Sequence, residues 1–267
     1  MDRIFNHVSN STLTLQKNHQ FQFALRHALE IYKSNSIYSF IPKNACSTMR
    51  YSIAKSNGFI DNESDIHWIH ANNQTFNPNL KSLANAKYTF VILRCPFSRL
   101  ASVFLDKFVS QTPDSYQYYS NTGRETNPME LTFRKFVTSL SKLVILKSNI
   151  HWRPQVDFLI YKNYDDYFAI ENFGEIEEKL QKKIGLKIHD ARKLTNNGLD
   201  SLDFIKEDSN NSDLSVIELI NMKIENNIIP PRTLYDKEIY SMVSNIYSLD
   251  IDLYSNKFGK LNMLKHR

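Results

Sequence analysis

The sequence predicts an α/β fold: a mainly parallel sheet flanked by helices on both faces. Three observations predict it. Short β-rich runs recur along the chain, and each is followed by a turn and a segment with helical spacing of apolar residues. The run at 88–93 is almost wholly apolar or β-branched, as a strand buried on both faces is. No internal repeat or low-complexity linker interrupts the order, so the 267 residues read as a single domain.

The first strand is expected at 36–41, where Pro42 ends it. A turn through 43–48 leads into a helix over 49–54, and a polar stretch with Asn and Pro fills 61–79. The second strand, 88–93, is broken by Arg94-Cys95-Pro96. Residues 97–109 then place Leu100, Val103, Phe104 and Phe108 at helical spacing. Residues 111–128 are polar and turn-rich and read as an exposed loop, 130–148 as a helix. A third buried strand is expected at 167–170, with a helix over 171–184. The Asn- and Asp-rich 186–215 region reads as a loop, and 235–247 as an amphipathic helix.

Lys and Arg number 33 against 28 Asp and Glu, a net charge of +5. That mild excess suits a polyanionic partner such as a small phosphate-rich ligand. The basic residues are spread along the chain, which argues against a nucleic-acid-binding tail. With only Cys46 and Cys95, a disulfide scaffold is not indicated, and both are expected as reduced thiols. The first 20 residues lack a signal-peptide pattern, and no stretch approaches the roughly 18 apolar residues of a membrane span. The expectation is a cytoplasmic chain, complete without an anchor.

Two turns carry the chemistry. The first is Pro42-Lys43-Asn44-Ala45-Cys46-Ser47-Thr48, between a strand and a helix. Such a turn gathers unpaired N–H groups at the positive end of the helix dipole, which makes it an anion site. Small side chains from Ala45 to Thr48 let the backbone approach a ligand; Ser47 and Thr48 add hydroxyls, and Lys43 an ammonium. It is not a nucleotide-triphosphate P-loop, because its Lys precedes the small residues and the turn has no glycine. By itself the pattern also fits a plain strand–helix connection with a solvated Lys.

The second turn is more specific. Arg94 ends a buried strand, so its guanidinium emerges at the sheet's carboxyl edge. Pro96 suits a helix start, where its missing N–H costs little. Ser102 lies eight residues on, two turns into the helix, and with Arg94 can hold one phosphate.

Together these turns make the chain resemble the PAPS-dependent sulfotransferases, in particular the carbohydrate group (sulfotransferase family 2-like). PAPS is 3′-phosphoadenosine 5′-phosphosulfate. The pattern Arg-x-Pro-x-x-Arg-Leu-x-Ser-x-Phe-x-Asp-Lys is matched at every fixed position from Arg94 to Lys107. His151-Trp152-Arg153-Pro154-Gln155 and Ile170-Glu171-Asn172-Phe173 are similar to later family blocks, and 247–258 to its closing segment. The similarity covers 36–260; residues 1–30 read as an N-terminal extension, and 186–230 have no clear counterpart. Cys46 stands where many relatives carry Gly or another residue, and a small side chain is kept.

The resemblance implies a P-loop-NTPase-like three-layer fold with a central sheet between helices. It implies that Pro42 to Thr48 grip the 5′-phosphosulfate and that Arg94 and Ser102 grip the 3′-phosphate. It implies in-line sulfuryl transfer to a carbohydrate hydroxyl, with Lys43 stabilising the leaving side and no metal required. A histidine suits the acceptor's proton. His67 and His70 lie between the two motifs, where glycan sulfotransferases that use a His base often carry it. A helix would bring both onto one face, and His70 is favoured. His151 is a lesser candidate for base; it and Arg153 are expected to meet the acceptor. The absence of an anchor points to a bacterial enzyme of polysaccharide biosynthesis. Rival readings are a nucleotide kinase-like P-loop enzyme, a basic nucleic-acid-binding protein and a PAPS-binding module without catalysis. Oligomeric state and acceptor identity are not legible.

Overall fold

The computed structural model describes residues 3–9, 11–72, 74–124, 127–191, 203–204, 209–225 and 227–259. Along the chain they form α1 (His19–Arg26), β1 (Ala28–Ile31), β2 (Ser36–Ser39), α2 (Cys46–Ser56), α3 (Trp68–Ala71), α4 (Leu80–Ala84) and β3 (Tyr88–Leu93). Then come α5 (Pro96–Phe104), α6 (Pro113–Asn121), α7 (Phe133–Ser139), α8 (Leu143–Leu146), β4 (Asp166–Ala169) and α9 (Phe173–Ile184). The last are α10 (Val216–Ile224), α11 (Lys237–Ile246) and α12 (Ser248–Phe258). The chain forms two compact units, 1–93 with 155–198 and 94–154 with 199–267.

In the first unit the sheet runs β1-β2-β3-β4. β2, β3 and β4 are parallel, and β1 pairs antiparallel on the edge. This is the mainly parallel α/β sheet flanked by helices that the sequence predicts. Every residue of β2 and β3 is buried, which is why their runs read as continuous rather than alternating. Parallel pairing, Ser39 opposite Val91 and Leu93 opposite Ala169, places the carboxyl ends of β2, β3 and β4 on one edge. In α/β sheets that edge is where ligands bind.

The core of this unit joins Tyr38 and Phe90, stacked at 5.0 Å, to Phe168, Met49 and Ile53. Residues Thr48 to Ala54 of α2 are all buried. α9 sends Ile176 and Leu180 into the same core and ends at Gly185, whose φ of +66° favours glycine. β1 and α1 fall within the stretch read as an extension; Asn18 caps α1 by accepting from the Phe21 N–H.

In the second unit α5 continues into a π-helical turn, Leu105–Val109. Phe108, Phe136, Tyr118 and Trp152 form an aromatic cluster, with Phe108–Phe136 at 4.9 Å and Tyr118–Phe136 at 5.5 Å. The expected loop over 111–128 instead contains α6, because Pro113 starts a helix that buries Tyr118 in this cluster. The single helix expected over 130–148 is two short ones. The Ser139 and Ser141 hydroxyls donate to the Phe136 and Thr138 carbonyls and draw the backbone into turns. Arg134 on α7 pairs with Asp213, Asp236 and Glu238, and Asp236 caps α11. The helix expected at 235–247 is α11; α12 follows it. α10 begins at a Ser215–Glu218 capping box inside the region without a family counterpart. Residues 192–202 and 205–208 of the expected 186–215 loop lie outside the described residues. Among the described residues no helix is long and apolar enough to cross a membrane.

Candidate active site

The turn between β2 and α2 has an unusual backbone. Lys43 and Ala45 both take left-handed conformations, φ +71° and +57°, with Asn44 of ordinary hand between them. Each costs a non-glycine residue about 1–2 kcal/mol. Alternation of hand turns successive N–H groups toward one concavity, an anion-binding nest. Ala45, the N-cap of α2, has no side chain to satisfy the helix's first donors. The helical ladder starts only with Met49 N–H to the Ala45 carbonyl, leaving the N–H groups of Cys46, Ser47 and Thr48 ahead of it.

A buried tie holds this strained turn. Asn44 is fully buried, and its Nδ2 donates to the Ile92 carbonyl at 3.0 Å and to Gln155 Oε1 at 2.7 Å. Its Oδ1 is buried with no hydrogen-bond partner among the described residues. Pro42 is buried, while Lys43, Ala45, Cys46 and Ser47 are half-buried. Thr48 is buried, and its hydroxyl oxygen accepts the Ala191 N–H at 3.3 Å. So Ser47 offers the more accessible hydroxyl. One turn after Cys46, the buried Arg50 guanidinium lies 5.5 Å over the Phe40 ring. Burial lowers its pKa, and it adds positive charge behind the turn. Cys46 and Cys95 are both free thiols. This donor set, an uncapped helix start beside a lysine, fits an anionic group.

In the second unit Arg94 directly follows β3 and precedes Cys95, the N-cap of α5, with Pro96 at the first helical position. Arg94 and Ser102 are both half-buried. Arg99, inside the same motif, is buried and serves the fold. Its Nη1 donates to the Arg153 carbonyl at 2.9 Å, and its Nη2 to the Ile150 carbonyl at 3.4 Å. The 151–153 turn is pinned again at Trp152, whose Nε1 donates to the Ile145 carbonyl and whose own carbonyl accepts from the Tyr247 hydroxyl.

His67 closes a 3-10 turn, Glu63–His67, and His70 sits on α3; both are exposed and three residues apart in continuous helical backbone. His151 is different. Its Nδ1 lies 2.9 Å from Asn149 Oδ1 and 3.2 Å from Asp114 Oδ1. Asn149 Nδ2 donates to Asp114 Oδ1 and to Gln117 Oε1, and Lys107 pairs with Asp106 and Asp114. Burial acts to raise the Asp114 carboxyl. The hydrogen bonds from His151 and Asn149, with the charges of His151 and Lys107, outweigh it and hold the group well below the usual carboxylate range.

The sequence reading passed over Asp114 and Asn149, and it quoted Arg99 and Gln155 within its motifs without giving either a role. Thr112-Pro113-Asp114 is a helix-start signal, with proline at the first position and an acid in the first turn. Among the described residues no cluster of three or more His, Cys, Asp or Glu could hold a metal ion.

The model of the Sulfotransferase family matches residues 27–257, which takes in β1 as well as both turns. The chain belongs to the sulfotransferase family, and sulfuryl transfer is its class of activity. Comparison with curated proteins and with solved structures finds no match.

Proposed function

We propose that the protein transfers a sulfuryl group from PAPS to a hydroxyl of a carbohydrate and releases 3′-phosphoadenosine 5′-phosphate (PAP). The observation that carries this is the strained turn at Lys43 and Ala45, opening onto the uncapped start of α2. PAPS would supply the activated sulfuryl group. Lys43, the N–H groups of residues 44–48 and the Ser47 hydroxyl would bind its 5′ side; Arg94 and Ser102 would bind its 3′-phosphate. As in phosphoryl transfer, the protein's work is positioning and charge stabilisation. Lys43 stabilises charge on the departing phosphate oxygen. The acceptor hydroxyl gives its proton to a histidine, with His70, then His67, then His151 as candidates. Arg153 meets an acceptor that carries negative charge. The reading is of one sulfotransferase domain in a bacterial cytoplasm, acting on polysaccharide precursors. The family match removes the support for a kinase or a nucleic-acid-binding protein.

The test is PAP release from PAPS in the presence of a panel of polysaccharides, with a matched set of simple alcohols and phenols. Carbohydrate-dependent release that Lys43→Ala and Arg94→Ala each reduce at least 100-fold, with the fold retained, supports the reading. Near-normal turnover by either variant contradicts the site assignment, and release driven only by phenols contradicts the acceptor class.

A further inference from the structure

Resting on that reading, we infer that Thr48 and Ser52 are positioning residues that couple the anion turn to residues 186–191, so that donor binding and docking of this segment strengthen each other. The segment lies in a stretch that the sequence reads as a loop, and it forms neither helix nor strand. Leu186, Ile188 and Ala191 are nonetheless buried in the core of the first unit, with Met49 and Tyr51 of α2 and Leu180 of α9. His189 is half-buried and meets the Tyr51 ring edge-on, with centroids 6.2 Å apart.

A packed segment outside helix and sheet must find partners for its own N–H groups. Two of them come from one face of α2. The Ser52 hydroxyl oxygen accepts the His189 N–H at 2.8 Å, and the Thr48 hydroxyl oxygen accepts the Ala191 N–H at 3.3 Å. Thr48 and Ser52 are both buried. The Ser52 hydroxyl hydrogen is committed as well, donating to the Thr48 carbonyl at 2.8 Å, which leaves the oxygen's lone pairs for His189. The spacing suits the arrangement. Residues four apart on a helix are about 6 Å apart along its axis, and alternate residues of an extended chain about 6.6 Å. The order is reversed, His189 with Ser52 and Ala191 with Thr48, so the segment runs against α2 toward its first turn.

Thr48 is where the anion turn and the segment meet. Its N–H is among those ahead of the helical ladder, its carbonyl accepts from Ser52, and its hydroxyl holds Ala191. The left-handed conformations of Lys43 and Ala45 persist only where the surroundings over-determine the turn. Asn44 supplies one restraint from the sheet, through Ile92 and Gln155. Thr48 and Ser52 supply another from the helix. With the segment undocked, the first turn of α2 loses that second restraint and its N–H groups lose their fixed aim. An anion that needs those N–H groups to converge binds the docked state more tightly, and it favours docking by the same factor in return.

The experiment follows hydrogen exchange at the His189 and Ala191 amides of the full chain, with and without saturating PAP. PAP is expected to slow both by about fivefold or more in wild type. Thr48→Ser, which keeps the hydroxyl, is expected to retain the slowing. Thr48→Val, which keeps the shape and removes the acceptor, is expected to lose most of it. Ser52→Ala is expected to raise KM for PAPS by about fivefold or more with kcat within about twofold of wild type, because saturating donor restores docking. A general loss of stability would not produce that split. PAP binding that leaves exchange at both amides within about twofold of the free chain overturns the inference and leaves the sulfotransferase reading standing. Equal slowing in Thr48→Val, or a Ser52→Ala KM within about twofold of wild type, does the same. A wild-type chain that neither binds PAP nor releases it from PAPS overturns both.

Discussion

Lys43 and Ala45 carry backbone conformations that their side chains disfavour, within three residues of a helix start. Strain of this kind persists where the surroundings over-determine it, and it concentrates at ligand clamps. The two positions separate strain from function. Ala45→Gly keeps the turn and removes the Cβ penalty, so stability is expected to rise by about 1 kcal/mol, read from the urea midpoint. An unchanged or lower midpoint contradicts the strain. Lys43→Ala is expected to leave the midpoint within about 0.5 kcal/mol, as half-exposed side chains do, while turnover falls at least 100-fold. Asn44→Ala removes the buried tie to the Ile92 carbonyl and Gln155, so it is expected to cost about 1–3 kcal/mol. Its urea midpoint measures that loss.

Among the elements, α6 and the 149–153 turn show what a sequence reading can and cannot reach. β3 was legible because burial on both faces writes itself as a nearly continuous apolar run, and β2 and β4 were legible from short β-rich runs. α6 was not, because its only strongly buried large side chain is Tyr118, too few to give a period. The two turns were legible as motifs. Asp114 was not, since a carboxylate 37 residues from His151 has meaning only once the chain has folded them together. β1 was missed for a similar reason: four residues on an edge are too short for a pattern. The Asp114 carboxyl, held below its unfolded value near 3.8, contributes stability above about pH 4 and loses it as pH falls through the folded value. Asp114→Asn is therefore expected to be less stable than wild type at pH 7, with the gap closing below pH 4. A gap that widens in acid contradicts the assignment.

For the whole molecule, a net charge of +5 spread along 267 residues sets a general preference for anions and leaves recognition to the built turns. The family match over 27–257 fixes the reaction class but not the acceptor. The donor is the part of the reading that a single ligand can decide. PAP should bind the folded chain and not the unfolded one. At about 100 times its Kd it is expected to add about 2.7 kcal/mol, which in a chain of this size raises Tm by about 5–10 °C. The shift should be absent in both Lys43→Ala and Arg94→Ala and should not be reproduced by ATP with Mg²⁺. A wild-type Tm that does not move with millimolar PAP, or that moves as far with ATP and Mg²⁺, would contradict a PAPS-dependent sulfotransferase.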